Sequence, residues 1–251
     1  MSKKSTLILE LKKVQRLVGG TPVLDIRHLK FHKGTIYGVV GAVGSGKTSL
    51  LNILSGSSKP DKGSVLYDYE PFKKSFLGRS LIPEDVAYVN VQKIDNHTVK
   101  SLYKRSNASQ VLSNYFSNLS TDKILNSYVK KLTNGEKSAV NLSLGIEADP
   151  RVLIIDDYAL FFDNKMENKF RKKLISINKD HGTTIILGSP NEQLLRSFCS
   201  VLIYLDNGHI SKIRTGNYKS NSSTRPRSFG NKKNNTNKSK SRFRGKNDKS
   251  R

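Results

Sequence analysis

Residues 41–56 read GAVGSGKTSLLNILSG. An apolar run, TIYGVV at 35–40, leads in as a strand. The run that follows sets Leu50, Leu51, Ile53 and Leu54 on the buried side of a helix, and Gly56 is suited to stop it. Gly41, Ala42, Val43, Gly44, Ser45, Gly46, Lys47 and Thr48 fit G-x-x-x-x-G-K-[ST] with no departure, and Ser49 opens the rest of the helix. Each part has a physical task. The glycines let backbone N–H groups close around a β-phosphate. Lys47 reaches β- and γ-phosphates as a point charge, Thr48 offers a hydroxyl to Mg²⁺, and the helix turns its positive end toward the anion.

Around this loop, apolar strands alternate with helical stretches. Residues 6–32 read as short strands about a turn at VGGTP, and 63–69 and 86–91 as further strands. A polar, helical stretch covers 98–131, and a helix covers 135–147. RVLIIDD (151–157) is an apolar strand ending in two acids, followed by a polar helix (163–179) and the strand TTIILG (183–188). VLIYLDNGHISKI (201–213) reads as a hairpin turning at Asn207-Gly208. This order predicts an α/β fold: a P-loop NTPase core with a mostly parallel sheet, a small antiparallel β edge and a helical lobe at about 92–145.

Composition narrows the setting. The chain has 251 residues, ample for a buried core. Its one cysteine, Cys199, excludes a disulfide framework and favours a reducing compartment. TLILEL is too short for a secretory apolar region, and no apolar run reaches the ~18 residues of a membrane helix. A soluble, cytoplasmic protein is expected, held at the inner membrane face only through a membrane partner.

The net charge of +24 is unevenly spread. Residues 219–251 hold 12 Lys and Arg against the single Asp248, with two aromatics and almost no aliphatics. Such a segment buries too little apolar surface to offset the entropy of ordering. We therefore expect a domain over 1–216 and a disordered basic tail over 217–251. The tail is either a solubilising appendage or a contact for nucleic acid or anionic lipid.

A phosphate loop needs an acid on a neighbouring strand to order the metal shell, and Asp156, ending LIID, fits that place. Asp157 follows where a carboxylate could orient the attacking water.

With these motifs in register, the chain resembles the ATP-binding cassette ATPases, the nucleotide-binding domains of ABC transporters, over about residues 6–216. LTNGE (132–136) lies where that family has its LSGGQ signature, and Leu132 to Asp156 is 25 residues inclusive, the family's usual interval. SSKPDKGSVLYD (57–68), ADPRVLIIDD (148–157) and VLIYLDNGHI (201–210) are also similar to family segments. The resemblance implies Mg·ATP as ligand, ATP hydrolysis, and head-to-tail pairing with a second cassette. The signature hydroxyl of Thr133 and the backbone of Gly135 would then face the partner's nucleotide. It also implies a separate transmembrane subunit.

Several positions depart from the family pattern. Asn134 replaces the first signature glycine, and Glu136, in the Gln position, sets a negative charge near a phosphate unless it faces away. Asn tolerates a left-handed backbone, so the turn can survive. Asp157 stands for the usual Glu and withdraws the carboxylate by ~1.3–1.5 Å, a misplacement that can cost ~10²-fold. Pro190 occupies the switch-histidine position. His181 lies too far along the strand to replace it, and His181 and His28 read as ordinary polar positions.

Leu17 and Val18 stand where an adenine-stacking aromatic is usual, which points to aliphatic contact with the base. The metal-sensing Gln position falls on Val91, and a one-residue bulge would bring Gln92 to it. Asp163 matches the D-loop Asp, preceded by an apolar YALFF that suits a dimer contact. Three roles fit: the soluble motor subunit of a transporter, a non-transport cassette acting on RNA or the ribosome, and a regulatory cassette with little turnover.

Overall fold

The structure is a computed structural model that describes residues 6–73, 82–90, 96–104 and 106–218. Two strands open the chain, β1 (Leu7–Val18) and β2 (Thr21–His32). They are longer than the sequence pattern suggested. Leu9, Leu11 and Val14 keep facing the core across register shifts at Leu7/Leu9 and Arg16/Leu17, so the pairing is bent rather than ended. With β4 (Lys62–Tyr67) and β5 (Glu70–Pro71) they form an antiparallel sheet ordered β2-β1-β4-β5.

The second sheet has six strands. Its central strand β3 (Ile36–Val40) lies between β8 (Thr184–Ser189) and β9 (Val201–Asp206). Beyond β8 come β7 (Val152–Ile155) and β6 (Val86–Val89), all parallel, while β10 (His209–Thr215) returns antiparallel beside β9. The Asn207-Gly208 turn joins β9 to β10 with both φ angles positive, at 45° and 77°.

The parallel strands are buried on both faces, which is why they read as unbroken apolar runs. On one face Tyr37, Val39, Val152 and Ile154 meet α1 (Lys47–Leu54) and the antiparallel sheet. On the other, Ile36, Val40, Leu153 and Ile155 meet α5 (Asn134–Glu147), α6 (Asn164–His181) and α7 (Glu192–Phe198).

The stretch expected to be helical before α5 is a set of short pieces: α2 (Val99–Leu102), α3 (Ala108–Ser113), α4 (Asn118–Leu125) and a 3₁₀ turn (Val129–Lys131). Helix α7 was not anticipated. Its signal is Asn191, whose side chain accepts from Leu194 N at 3.0 Å as an N-cap. Asn217 and Tyr218, placed in the tail by composition, are tied to the body, with Tyr218 N donating to Cys199 O at 3.1 Å. Residues 219–251 lie outside the described residues. Among the described residues no helix is long and apolar enough to cross a membrane.

Candidate functional site

Because β3 and β7 are parallel and separated only by β8, their C-terminal ends open on one edge, the side where open α/β sheets bind ligands. The end of β3 delivers the 41–49 loop, and the end of β7 delivers Asp156 and Asp157. Loop and acids are thereby joined although more than 100 residues part them in sequence.

Within the loop, Gly46 has a φ of 99°, and a Cβ there would come within 2.7 Å of Val23 O, so only glycine fits. No side chain caps the start of α1, and its first turn has no acid. The first-turn donors are thus free of an intramolecular anion. Lys47 is only 7% exposed and donates to Gly41 O at 2.8 Å and Ala42 O at 2.9 Å. Burial lowers its pKa, opposed by the charges of Asp157 and Asp156. Ser45 Oγ is buried without a partner among the described residues. A Lys folded onto its own loop and an orphaned hydroxyl both fit a site completed by an anion.

Asp156 is 3% exposed. Burial raises its pKa, while a hydrogen bond from the Thr48 hydroxyl opposes that rise. Its Oδ1 accepts from Asp157 N at 3.1 Å. The Thr48 hydroxyl and the Asp156 carboxylate are a hard-oxygen pair that fits Mg²⁺, which takes few protein ligands and completes its shell from phosphate and water. Among the described residues no group of three or more His, Cys, Asp or Glu could hold a metal.

Lys47, Thr48, Ser49 and Asp157 line one cavity of about 400 Å³ with Val23, Val43, Gly44, Gly46, Leu160 and Pro190. Pro190 therefore reaches the site as expected, and it brings no donor. Val23 is an aliphatic residue of the cavity lining, while Leu17 and Val18 are exposed near the hairpin tip. A larger cleft of about 610 Å³ is lined by Tyr67, Phe72 and Ile82. It contains none of the loop or Asp156–Asp157 groups.

Thr133 and Gly135 do not line this cavity. Thr133 is the N-cap of α5, and Asn134 is helical, so the left-handed turn allowed for Asn134 is not used. Glu136 is engaged within its own helix turn. Its Oε2 accepts from Thr133 N at 2.8 Å and Thr133 Oγ1 at 2.9 Å, while Glu136 N donates back to Thr133 Oγ1 at 3.3 Å. This reciprocal capping box occupies the signature hydroxyl. Gly135 is held close to the 157–162 loop: a Cβ on it would lie 3.0 Å from Phe161 O.

YALFF splits in two. Tyr158 is buried, and Phe162 stacks on Phe170 at a ring separation of 5.0 Å. Leu160 and Phe161 stay 53% and 42% exposed, and Leu160 shares the cavity lining with Val43, itself 95% exposed. Asp163 is the N-cap of α6, accepting from Met166 N at 2.6 Å, a local duty that the D-loop expectation did not foresee. His181 pairs with Asp149 at 2.6 Å on the surface, in keeping with an ordinary polar position.

Gln92 lies outside the described residues. Sequence reasoning missed Tyr88 and Asn90, which approach Asp156. No local sequence signal marks them: it is the pairing of β6 with β7 in register Val89↔Ile155 that sets the residue after Val89 beside Asp156.

A family model described as ABC transporter matches residues 24–159, more than half of the chain. The chain is 26% identical to the tungstate uptake system ATP-binding protein of Peptoclostridium acidaminophilum, over 79% of this chain and 94% of that protein. It is also 26% identical to an uncharacterized ABC transporter ATP-binding protein of Bacillus subtilis, over 86% of this chain and all of that one (100%). Among solved structures, it is similar to a dimeric ATP-binding cassette in a post-hydrolysis state with ADP and Pi. The TM-score there is 0.69, with 20% identity over 83% of this chain and 98% of the other.

Proposed function

The chain belongs to the ABC transporter family as an ATP-binding cassette with ATPase activity, and from that premise we propose how its own residues hold and act on ATP. The observation that carries the proposal is the cavity that Lys47, Thr48 and Ser49 of the loop share with Asp157, the residue next to buried Asp156. Backbone N–H groups from Gly41 to Ser49 cradle the β-phosphate, and Lys47 leaves the carbonyls of Gly41 and Ala42 for the β- and γ-phosphates. Thr48 and Asp156 hold Mg²⁺, which when bound neutralises charge developing on the phosphates. Asp157 orients the attacking water.

Turnover is slow on this reading. Asp157 is short, Pro190 has no donor, and Thr133 Oγ1 is already bonded to Glu136. The domain expected over 1–216 is taken to extend to Tyr218, with a helical lobe at about 92–145. A second cassette meets the face carrying Val43, Leu160 and Phe161, so that Thr133 and Gly135 address the partner's nucleotide. A separate transmembrane subunit keeps the protein at the cytoplasmic membrane face.

The relatives compared are ATP-binding proteins of uptake systems and ABC transporters, which do not favour the RNA or ribosome reading that the 219–251 tail invited. Equilibrium binding of Mg·ATP to the full chain and to Lys47→Ala tests the proposal. A loss of at least tenfold in the variant is expected, and equal affinity would overturn it. Capture of a membrane-spanning protein with the tagged chain tests the transporter partnership.

A further inference from the structure

We infer that Asn90, supported by Tyr88, is the positioning arm of the metal site, holding the Asp156 carboxylate in its ligating orientation where Gln92 was expected to serve. The inference rests on the reading above, in which Thr48 and Asp156 hold Mg²⁺.

The argument begins with register. β6 and β7 run parallel with Tyr88↔Ile154 and Val89↔Ile155, and Asp156 N donates to Val89 O at 2.9 Å. Side chains alternate with a period of two, so Tyr88 and Asn90 share the face of Asp156. The side chains then converge. Asn90 Nδ2 lies 3.2 Å from Tyr88 Oη, and both lie 3.5 Å from Asp156 Oδ2.

The opposite oxygen, Oδ1, accepts from Asp157 N at 3.1 Å. The carboxylate is thereby addressed from both ends. Both contacts on Oδ2 lie at the long end of hydrogen-bonding reach.

Chain placement explains why Asn suffices. Asn90 leaves the end of β6 directly beside Asp156, so its short side chain reaches what a longer Gln would reach from further along. Its backbone is also anchored: Asn141 Nδ2 on α5 donates to Asn90 O at 3.3 Å. Since Thr133 caps α5 and Gly135 lies in its first turn, one residue touches both the metal acid and the helix that carries the signature.

The test measures nucleotide affinity of the full chain with Mg²⁺ and with EDTA, and follows Mn²⁺ in place of Mg²⁺ by paramagnetic resonance in the ADP complex. Outer-shell partners of metal ligands typically account for about 10–100-fold in metal affinity. Asn90→Ala is expected to weaken Mn²⁺ binding in the ADP complex by about tenfold or more. Its affinity for ADP in EDTA should stay within about twofold, which also shows that the variant is folded. Tyr88→Phe should have a smaller effect of the same sign, and Asn90→Gln should recover part of the loss.

If Asn90→Ala does not fold, Asn90→Ser carries the same expectation. Unchanged Mn²⁺ affinity in Asn90→Ala, with a large loss in Gln92→Ala, would overturn the inference. That outcome, with Lys47→Ala still failing to bind ATP, would leave the ATP reading standing. If Lys47→Ala bound normally, the reading itself would fall.

Discussion

Asp156 and Asp157 are chain neighbours that the fold treats in opposite ways. Asp156 is sealed in, and burial pushes its pKa up. A buried acid with a raised pKa favours the folded state most at pH below its unfolded value, and that advantage fades as pH rises through the folded one. Asp156→Asn is therefore expected to raise Tm at neutral pH by a few degrees, while abolishing the Mg²⁺ dependence of nucleotide binding. Calorimetry with and without Mg·ADP checks both halves.

Asp157 lines the cavity with a left-handed φ of 50°, which Asp tolerates better than Glu. Asp157→Glu is expected to speed phosphate release by about tenfold or more through the restored methylene, with a modest fall in Tm from the strained backbone. These two acids were legible in the sequence because a strand ending in acids after a phosphate loop has few other uses. Tyr88 and Asn90 were not, because their role depends on which strand lies beside β7, a fact of topology that no local pattern carries.

Among the elements, α5 shows the clearest case of a residue with two claims on it. Thr133 was read as a signature hydroxyl, and it is also half of a capping box with Glu136. Thr133→Ala should cost about 1 kcal/mol through the lost cap, lowering Tm by about 2–4 °C, as thermal unfolding would show. The T-x-x-E pattern was present in LTNGE, but the charge of Glu136 near a phosphate drew attention away from its helix-capping role.

In the β1–β2 hairpin, Glu10 is gripped by His28 at 2.7 Å and Lys12 at 3.2 Å, and Lys30 lies at 3.8 Å. The hydrogen bond from His28 leads in holding the Glu10 pKa below its ordinary 4.5. A depressed acid stabilises the fold above its unfolded pKa, and the gain is lost as pH falls through the folded value. Glu10→Gln is thus expected to flatten the acid limb of the stability curve below about pH 4.5, measured by denaturant unfolding across pH. The two strands were expected from the sequence, but their full length was not, since bulges and the positive φ of Lys13 (52°) break the simple alternation.

At the scale of the whole molecule, the α/β class, the parallel sheet and the phosphate loop all followed from apolar runs bounded by turn residues. The short helices before α5 were harder to place because their segments are polar and each buries only a few side chains. One face of the body carries the nucleotide cavity with exposed Val43 and Leu160, and the 157–162 loop joins that cavity to Gly135. ATP-dependent self-association is expected through this face, and Phe161→Glu should weaken it in sedimentation experiments with Mg·ATP.

The central claim is that the chain grips ATP fully and acts on it slowly. It is tested most directly by mixing the full chain with saturating Mg·ATP and following, in one sample, the nucleotide bound and its conversion to ADP. The account expects stoichiometric binding with turnover well below the ~10 s⁻¹ typical of enzymes. Absence of bound nucleotide, or hydrolysis at that ordinary rate with no gain from Asp157→Glu, would contradict it.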